Sequence, residues 1–134
     1  MKRLVAILTM AGLCGCAAFG PPASTAPATP VFFSPFSADL DDSALSAIQS
    51  AAKQAIAQPD APVYVTGAAD SVGSKRANKY LSETRAQVVA DQLAADGVDE
   101  SRILVKGVGM LTPKFVPTGT PTQGARRVLI QVGG

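Results

Sequence analysis

The chain has 134 residues, enough for one compact domain, and it contains no histidine and no tryptophan. The absence of histidine excludes histidine-dependent acid–base catalysis, Ser-His-Asp triads and His-ligated metal sites. Nothing in the sequence requires a cofactor or a metal ion, and we do not expect an enzyme. The formal net charge is +2.

The first 15 residues have the layout of a secretory signal, because Lys2 and Arg3 precede an apolar run that ends in small residues. The stretch "LCGC" ends at Cys16 and resembles the bacterial lipobox, which signal peptidase II cleaves before a cysteine that is then acylated. We therefore predict a lipoprotein signal peptide over residues 1–15 and lipidation, for example with palmitate, at Cys16. The alternative is ordinary cleavage after "CAA", which would release a soluble periplasmic protein.

Removal of the signal peptide takes away two of the 12 basic residues and leaves ten, which balance the ten acidic ones. Nucleic-acid binding depends on clustered cations, whereas the cations of this chain are scattered. We expect no nucleic-acid partner, and any recognition of charge has to be local.

Residues 16–30 combine the lipidated cysteine with a tether rich in alanine and proline, "AAFGPPASTAPATP". This composition cannot bury enough apolar surface to fold. The folded domain is therefore expected over residues 31–134.

The predicted first helix lies between a short strand, "VFF" at 31–33, and a second strand, "PVYVTG" at 62–67. Asp41 and Asp42 stand in front of this helix, where capping and the helix dipole explain adjacent carboxylates better than catalysis or metal binding does. Its apolar stripe recurs at helical spacing. The stripe consists of Leu45, Ile48, Ala52, Ala55 and Ile56.

The predicted second helix carries Leu81, Val88 and Leu93 on one stripe and stops at Gly97, which suits a left-handed cap. Arg85 falls on the same stripe and would point inward. A guanidinium is costly to desolvate without an anion, so Arg85 needs a partner.

The rest of the chain is a third strand, "RILVKGVG", a long loop over 109–125 and a closing strand, "RRVLIQV", at 126–132. A loop of this length in a compact domain is functional or mobile. The order strand-helix-strand-helix-strand-strand predicts an α+β fold, a two-layer α/β sandwich with helices on one face of a mixed sheet.

Asp70 follows the second strand, and a strand-to-helix loop could bring it to Arg85, 15 positions further on. One interpretation is a salt bridge that pins the loop. The other is a split pair whose carboxylate and guanidinium bind the opposite charges of a zwitterion.

An ordered series of residues resembles the OmpA-like family of peptidoglycan-binding domains, which includes outer-membrane lipoproteins. The family pattern is G-x-T/A-D-x-x-G, an asparagine, L-S-x-x-R-A, G-V, R-I, G-x-G-E-x-x-P and R-R-V. The matching residues are Gly67, Ala69, Asp70, Gly73, Asn78, Leu81, Ser82, Arg85, Ala86, Gly97, Val98, Arg102, Ile103, Gly107, Gly109, Pro113, Arg126, Arg127 and Val128. Ala68, Ala69 and Met110 depart from the family's frequent histidine, threonine and glutamate.

The resemblance implies a non-catalytic domain that binds the meso-diaminopimelate residue of peptidoglycan stem peptides. Asp70 would take the ammonium of the amino-acid centre at the end of the diaminopimelate side chain, and Arg85 would take its carboxylate. When the site is empty, Asp70 would lie close enough to hold Arg85. Asn78 and backbone groups near Ala69 and Gly73 would complete the site.

Three of these family residues have alternative roles. Asn78 would also serve as a helix cap. Arg126 and Arg127 are further candidates for ligand contact, but tandem arginines before a strand also protect a sheet edge.

The implied protein is a lipoprotein anchored in the outer membrane, with its domain in the periplasm, where it tethers the membrane to the cell wall. Ala17, directly after the anchor, favours sorting to the outer membrane if the enterobacterial rule applies. The alternative is an interaction hub for other envelope proteins, with wall binding secondary. An enzyme of wall metabolism is the remote alternative.

Overall fold

The computed structural model describes residues 27–133. Helices and strands follow one another in the predicted order. The elements are β1 (Thr29–Phe32), α1 (Asp42–Ala57), β2 (Val63–Ala69), α2 (Lys75–Ala95), β3 (Ile103–Met110) and β4 (Arg127–Val132), with short 3-10 turns at Glu100–Arg102 and Gln123–Ala125. The predicted signal peptide and Cys16 lie outside the described residues.

The four strands form one mixed sheet in the order β1-β4-β2-β3. β4 is antiparallel to both of its neighbours, whereas β2 and β3 are parallel. Both helices pack on one face of this sheet and share a single core with it. The predicted α+β two-layer sandwich is therefore confirmed.

β4 is an inner strand, and this changes the interpretation of the two arginines at its start. It pairs with β1 on one side and with β2 on the other. The expectation that Arg126 and Arg127 protect a sheet edge is wrong, because strand pairing between distant segments covers both sides of β4.

β1 begins at Thr29, two residues inside the stretch that the sequence assigned to the tether. Pro30 lies within this strand although it has no N–H to donate. It is tolerated because β1 is an edge strand and pairs with β4 alone.

The buried face of α1 is formed mainly by alanines, so the helix packs closely on the sheet. Its buried residues are Ala44, Ile48, Ala51, Ala52 and Ala55. Leu45 and Ile56, which the predicted stripe included, are half-exposed because they lie at the margin of this buried face. Asp41 caps α1 as predicted, and its carboxylate accepts from the Ala44 backbone at 2.7 Å.

α2 packs on β2 at very short range. A Cβ at Gly67 would overlap the carbonyl oxygen of Ser82, so only glycine fits there. The side chain of Arg85 is completely buried on this face, which confirms its inward position. α2 ends before Gly97, whose left-handed φ of 106° confirms the predicted cap. Among residues 27–133, no helix has both the length and the apolar character needed to cross a membrane.

Candidate functional site

Asp70 lies directly after β2, and its side chain is only 8% exposed. Its Oδ2 atom is 3.0 Å from Nη1 of Arg126 and accepts a longer bond, 3.4 Å, from the Thr122 backbone. Its Oδ1 atom accepts from the Val72 backbone at 3.2 Å. The carboxylate thus joins the β2–α2 loop to the segment that precedes β4.

Arg85 reaches from α2 under the loop that follows β1, and all its bonds in the described structure go to backbone carbonyls. Nε donates to Ser37 at 2.8 Å, Nη2 to Ser34 at 3.0 Å and Nη1 to Ala68 at 3.0 Å. The guanidinium carbon is 5.2 Å from the ring centroid of Phe33. Since a guanidinium has five N–H donors, these three bonds leave two for another acceptor.

The expected contact between Asp70 and Arg85 is not formed, and this expectation is corrected. No hydrogen bond or ion pair joins them in the described part of the chain, since Arg85 donates to three backbone carbonyls and Asp70 pairs with Arg126. Burial lowers the pKa of Arg85 from its usual value. The charge of Asp70 raises this pKa and that of Arg126 lowers it, so the three groups form one electrostatic cluster.

Arg126 completes this cluster and ties it to β1. Besides the ion pair with Asp70, its Nε donates to the carbonyl of Phe33 at 3.1 Å. Its side chain is 13% exposed, whereas Arg85 is fully buried. The cluster thus contains one carboxylate and two guanidiniums, and the surplus positive charge favours a further anion.

Asn78 is buried in the first turn of α2 and does not cap the helix. Its Nδ2 atom donates to the carbonyl of Val72 at 2.8 Å, across the β2–α2 loop. The cap is Ser74, whose hydroxyl accepts from the Ala77 backbone at 3.1 Å. The alternative role of Asn78 as a helix cap is therefore wrong, and its amide closes the loop instead.

Gly73 lies at the exposed bend of this loop, with a φ of 94° that glycine adopts without strain. Ala69 is buried, and its carbonyl already accepts from the Leu111 backbone at 2.8 Å. Arg127 has no hydrogen bond or ion pair to Asp70 among the described residues, and its Nη1 donates to Gly124 at 2.7 Å. The structure thus gives Gly73 a left-handed bend in the loop that follows Asp70, and it shows no bond from Arg127 to Asp70 among the described residues.

The long loop before β4 is fastened to the site by three bonds. The Leu111 backbone donates to Ala69, that of Gly119 to the hydroxyl of Ser71, and that of Thr122 to Asp70. These bonds hold the loop against the end of β2 and the β2–α2 loop.

Sequence reasoning missed the turn Ser34–Ser37 and the hydroxyl of Ser71. The turn contributes backbone carbonyls to Arg85. Carbonyls leave no residue-specific signal, so no pattern in the sequence could have identified them. Within residues 27–133, no three side chains among His, Cys, Asp and Glu are grouped so that they could hold a metal ion.

The comparisons with known proteins agree with this fold. The model of the OmpA family matches residues 32–127. The peptidoglycan-binding protein ArfA of Mycobacterium tuberculosis is 32% identical over 103 residues, which cover 77% of this chain and 31% of ArfA. The probable lipoprotein YiaD of Escherichia coli is 36% identical over 83 residues, which cover 62% of this chain and 38% of YiaD. The matched region thus spans less than two fifths of either relative.

A solved structure shows the same architecture. The peptidoglycan-associated lipoprotein from Burkholderia pseudomallei superposes with a TM-score of 0.70 at 21% identity, and the match covers 78% of this chain and 89% of that chain. The family match runs from the last residue of β1 to the first residue of β4 and so includes both helices, the charged cluster and the long loop. The chain therefore belongs to the OmpA family.

Proposed function

We propose that this protein binds peptidoglycan without catalysis and without a covalent bond, through the meso-diaminopimelate residue of the stem peptides. The observation that carries the proposal is the buried cluster of Asp70, Arg85 and Arg126, in which cations outnumber anions. The name of the relative ArfA describes a peptidoglycan-binding protein, which supports the same class of ligand.

The cluster has the groups that an amino-acid centre needs. An ammonium and a carboxylate on one carbon would meet the carboxylate of Asp70 and, after the loop that follows β1 moves off the fully buried guanidinium, the remaining N–H donors of Arg85. Bonds between charged partners are stronger than neutral ones, and they gain further where water is excluded. Because Arg126 already forms an ion pair with Asp70, the ligand ammonium has to share this carboxylate or displace the arginine.

The proposal includes an anchor. Acyl chains on Cys16 would hold the protein in the outer membrane, and the tether would place the domain in the periplasm, within reach of the wall. The relatives that support this location are the probable lipoprotein YiaD and the outer membrane protein A of several bacteria. The protein would then connect the outer membrane to peptidoglycan.

A second candidate function is that of an interaction hub for envelope proteins. It is favoured by the face of the sheet opposite the helices, where Phe32, Tyr64 and Leu104 are 45%, 39% and 49% exposed. Exposed apolar patches often mark protein contacts. Pull-downs with isolated sacculi and with cell lysate separate the two functions, since a wall binder is retained by sacculi that carry no protein.

The direct test of wall binding is co-sedimentation with purified sacculi. A soluble form from residue 17 onward suits this assay, because all described strands, helices and core residues lie within residues 29–132. We expect the protein to sediment with sacculi and to be released by soluble muropeptides that contain diaminopimelate. Protein that stays in the supernatant would contradict the proposal.

A further inference from the structure

β3 forms a free edge of the sheet. Among the described strands it is the last in the order β1-β4-β2-β3, and it pairs with β2 alone. Its apolar residues Leu104, Val105 and Val108 are 49%, 40% and 39% exposed. Nζ of the exposed Lys79 donates to the carbonyl of Gly107, so this acceptor of β3 is open to a donor other than β2. An apolar edge strand with open backbone groups favours pairing with another strand.

A groove runs along this edge, between β3 and the outer face of α2. Three cations line the part next to the end of β3, namely Lys75, Arg76 and Lys79. Two carboxylates line the part next to its start, namely Asp91 and Glu100. One further cation and one further carboxylate lie in the middle. The groove is therefore positive at one end and negative at the other.

The charges of α2 along this groove lie on one ridge of the helix, because side chains four positions apart are neighbours. The ridge consists of Lys75, Lys79, Glu83, Gln87 and Asp91, which are all exposed. Lys79 and Glu83 form an ion pair at 3.3 Å. Lys75 and Asp91 take part in no ion pair among residues 27–133. The two ends of the ridge thus keep unpaired charges of opposite sign.

We propose that two copies of this protein associate through β3, with the two strands antiparallel and a two-fold axis between them. A two-fold axis makes an interface self-complementary, because each contact occurs twice. Glu83 lies level with Gly107, since a Cβ at Gly107 would come within 2.5 Å of the Glu83 backbone nitrogen. An axis at this level brings Lys75 of one copy to Asp91 of the other, because each lies eight positions from Glu83. Parallel strands would place like charges together instead.

The side chains of β3 match about the same axis. Leu104 and Met110 each lie three positions from Gly107, so that Leu104 of one copy is opposite Met110 of the other. Lys106 is opposite Val108 and not opposite a second lysine, which would be unfavourable. At the axis, the carbonyl of Gly107 exchanges the ammonium of Lys79 for a backbone N–H.

Sedimentation velocity of the soluble form from residue 17 onward, over a series of concentrations, measures this association. We expect a reversible dimer in the wild type. Lys75→Glu and Asp91→Lys should each raise the dissociation constant about 10-fold, because each reversal creates two like-charge contacts in the dimer. Lys53→Glu, at an exposed position of α1 outside the groove, makes the same change of charge and should stay within about 2-fold of wild type.

An equimolar mixture of Lys75→Glu and Asp91→Lys provides the sharpest test. In a dimer with one copy of each variant, both contacts again join opposite charges, so we expect the mixture to associate about as tightly as the wild type. Thermal unfolding should be unchanged in both variants, because their positions are exposed, and this separates association from folding.

Three results would overturn the inference. The first is a wild-type protein that stays monomeric at every concentration. The second is a dimer that both charge reversals leave intact, because its interface would then lie elsewhere, for example on the sheet face with Phe32 and Tyr64. The third is a mixture that associates no better than either variant alone, which contradicts the antiparallel arrangement. Wall binding through Asp70 and Arg85 does not depend on the outcome.

Discussion

Asp70 and Arg126 form a buried ion pair across the domain, with Oδ2 and Nη1 3.0 Å apart although the residues are 56 positions apart in the chain. The pair fixes the end of β2 to the segment that enters β4. Arg85, which belongs to the same cluster, is held by backbone carbonyls instead. Two separate sets of bonds therefore hold the charged groups of the cluster in place.

Asp70→Ala should destabilise the protein by about 1 to 3 kcal/mol, because it leaves the guanidinium of Arg126 buried without its partner. Urea unfolding measures the change. Asp60→Ala, at an exposed position, is the control and should stay within about 0.5 kcal/mol of wild type.

A double-mutant cycle identifies the partner of Asp70. We expect a larger coupling energy between Asp70 and Arg126 than between Asp70 and Arg85, since only the first pair is in direct contact. The reverse order would contradict the geometry of the site.

Arg85→Met should cost about 3 kcal/mol or more, because it retains an apolar stem but leaves three carbonyls without their donor. Arg85→Lys is also not conservative, since an ammonium cannot reproduce the planar fork. Urea unfolding of both variants is the measurement, and wild-type stability in Arg85→Met would show that the carbonyl bonds are dispensable. Because both variants are expected to be less stable, a loss of binding in either one has to be compared with its loss of stability.

The packing of α2 on β2 predicts a steep penalty at Gly67. Gly67→Ala should destabilise by about 3 kcal/mol or more, because the added methyl group overlaps the backbone of Ser82. Gly124→Ala is the matched control, as a Cβ there meets no atom within 4 Å. In thermal unfolding, Gly67→Ala should melt at a clearly lower temperature than Gly124→Ala. Similar melting temperatures would mean that the helix moves away from the sheet at little cost in free energy.

Cys16→Ser tests the proposed anchor. If the lipobox is used, this variant should lose acyl labelling and leave the membrane fraction. A wild-type protein that already fractionates as soluble would favour ordinary cleavage after "CAA" instead.

Local patterns were sufficient for the parts of the fold that depend on near neighbours. The cap at Asp41, the glycine at the end of α2 and the inward position of Arg85 follow from helical spacing and capping chemistry, and all three are confirmed. The two-layer class followed from the alternation of helices and strands.

The features that sequence reasoning missed depend on distant segments. The inner position of β4 results from pairing with β1 and β2, which no local pattern encodes. The partner of Asp70 could not be inferred for the same reason, because Arg126 lies 56 positions away. Carbonyl groups that satisfy Arg85 carry no side-chain signature at all.

The proposed function depends on recognition of an amino-acid centre by Asp70 and Arg85. Lysine in a stem peptide offers a side-chain ammonium but no carboxylate beside it, whereas diaminopimelate carries both groups on one carbon. A lysine ligand would therefore forfeit a charge-assisted, bidentate contact of about 1.5 to 3 kcal/mol, equivalent to about 10- to 150-fold in affinity.

Calorimetric titration of the soluble domain with matched muropeptides, one with meso-diaminopimelate and one with lysine, tests this recognition most directly. It uses the wild-type protein, so a difference in affinity cannot result from a folding defect of a variant. We predict that the diaminopimelate muropeptide binds at least about 10-fold more tightly. Equal affinity for the two muropeptides would contradict the account and leave Arg85 with a purely structural role.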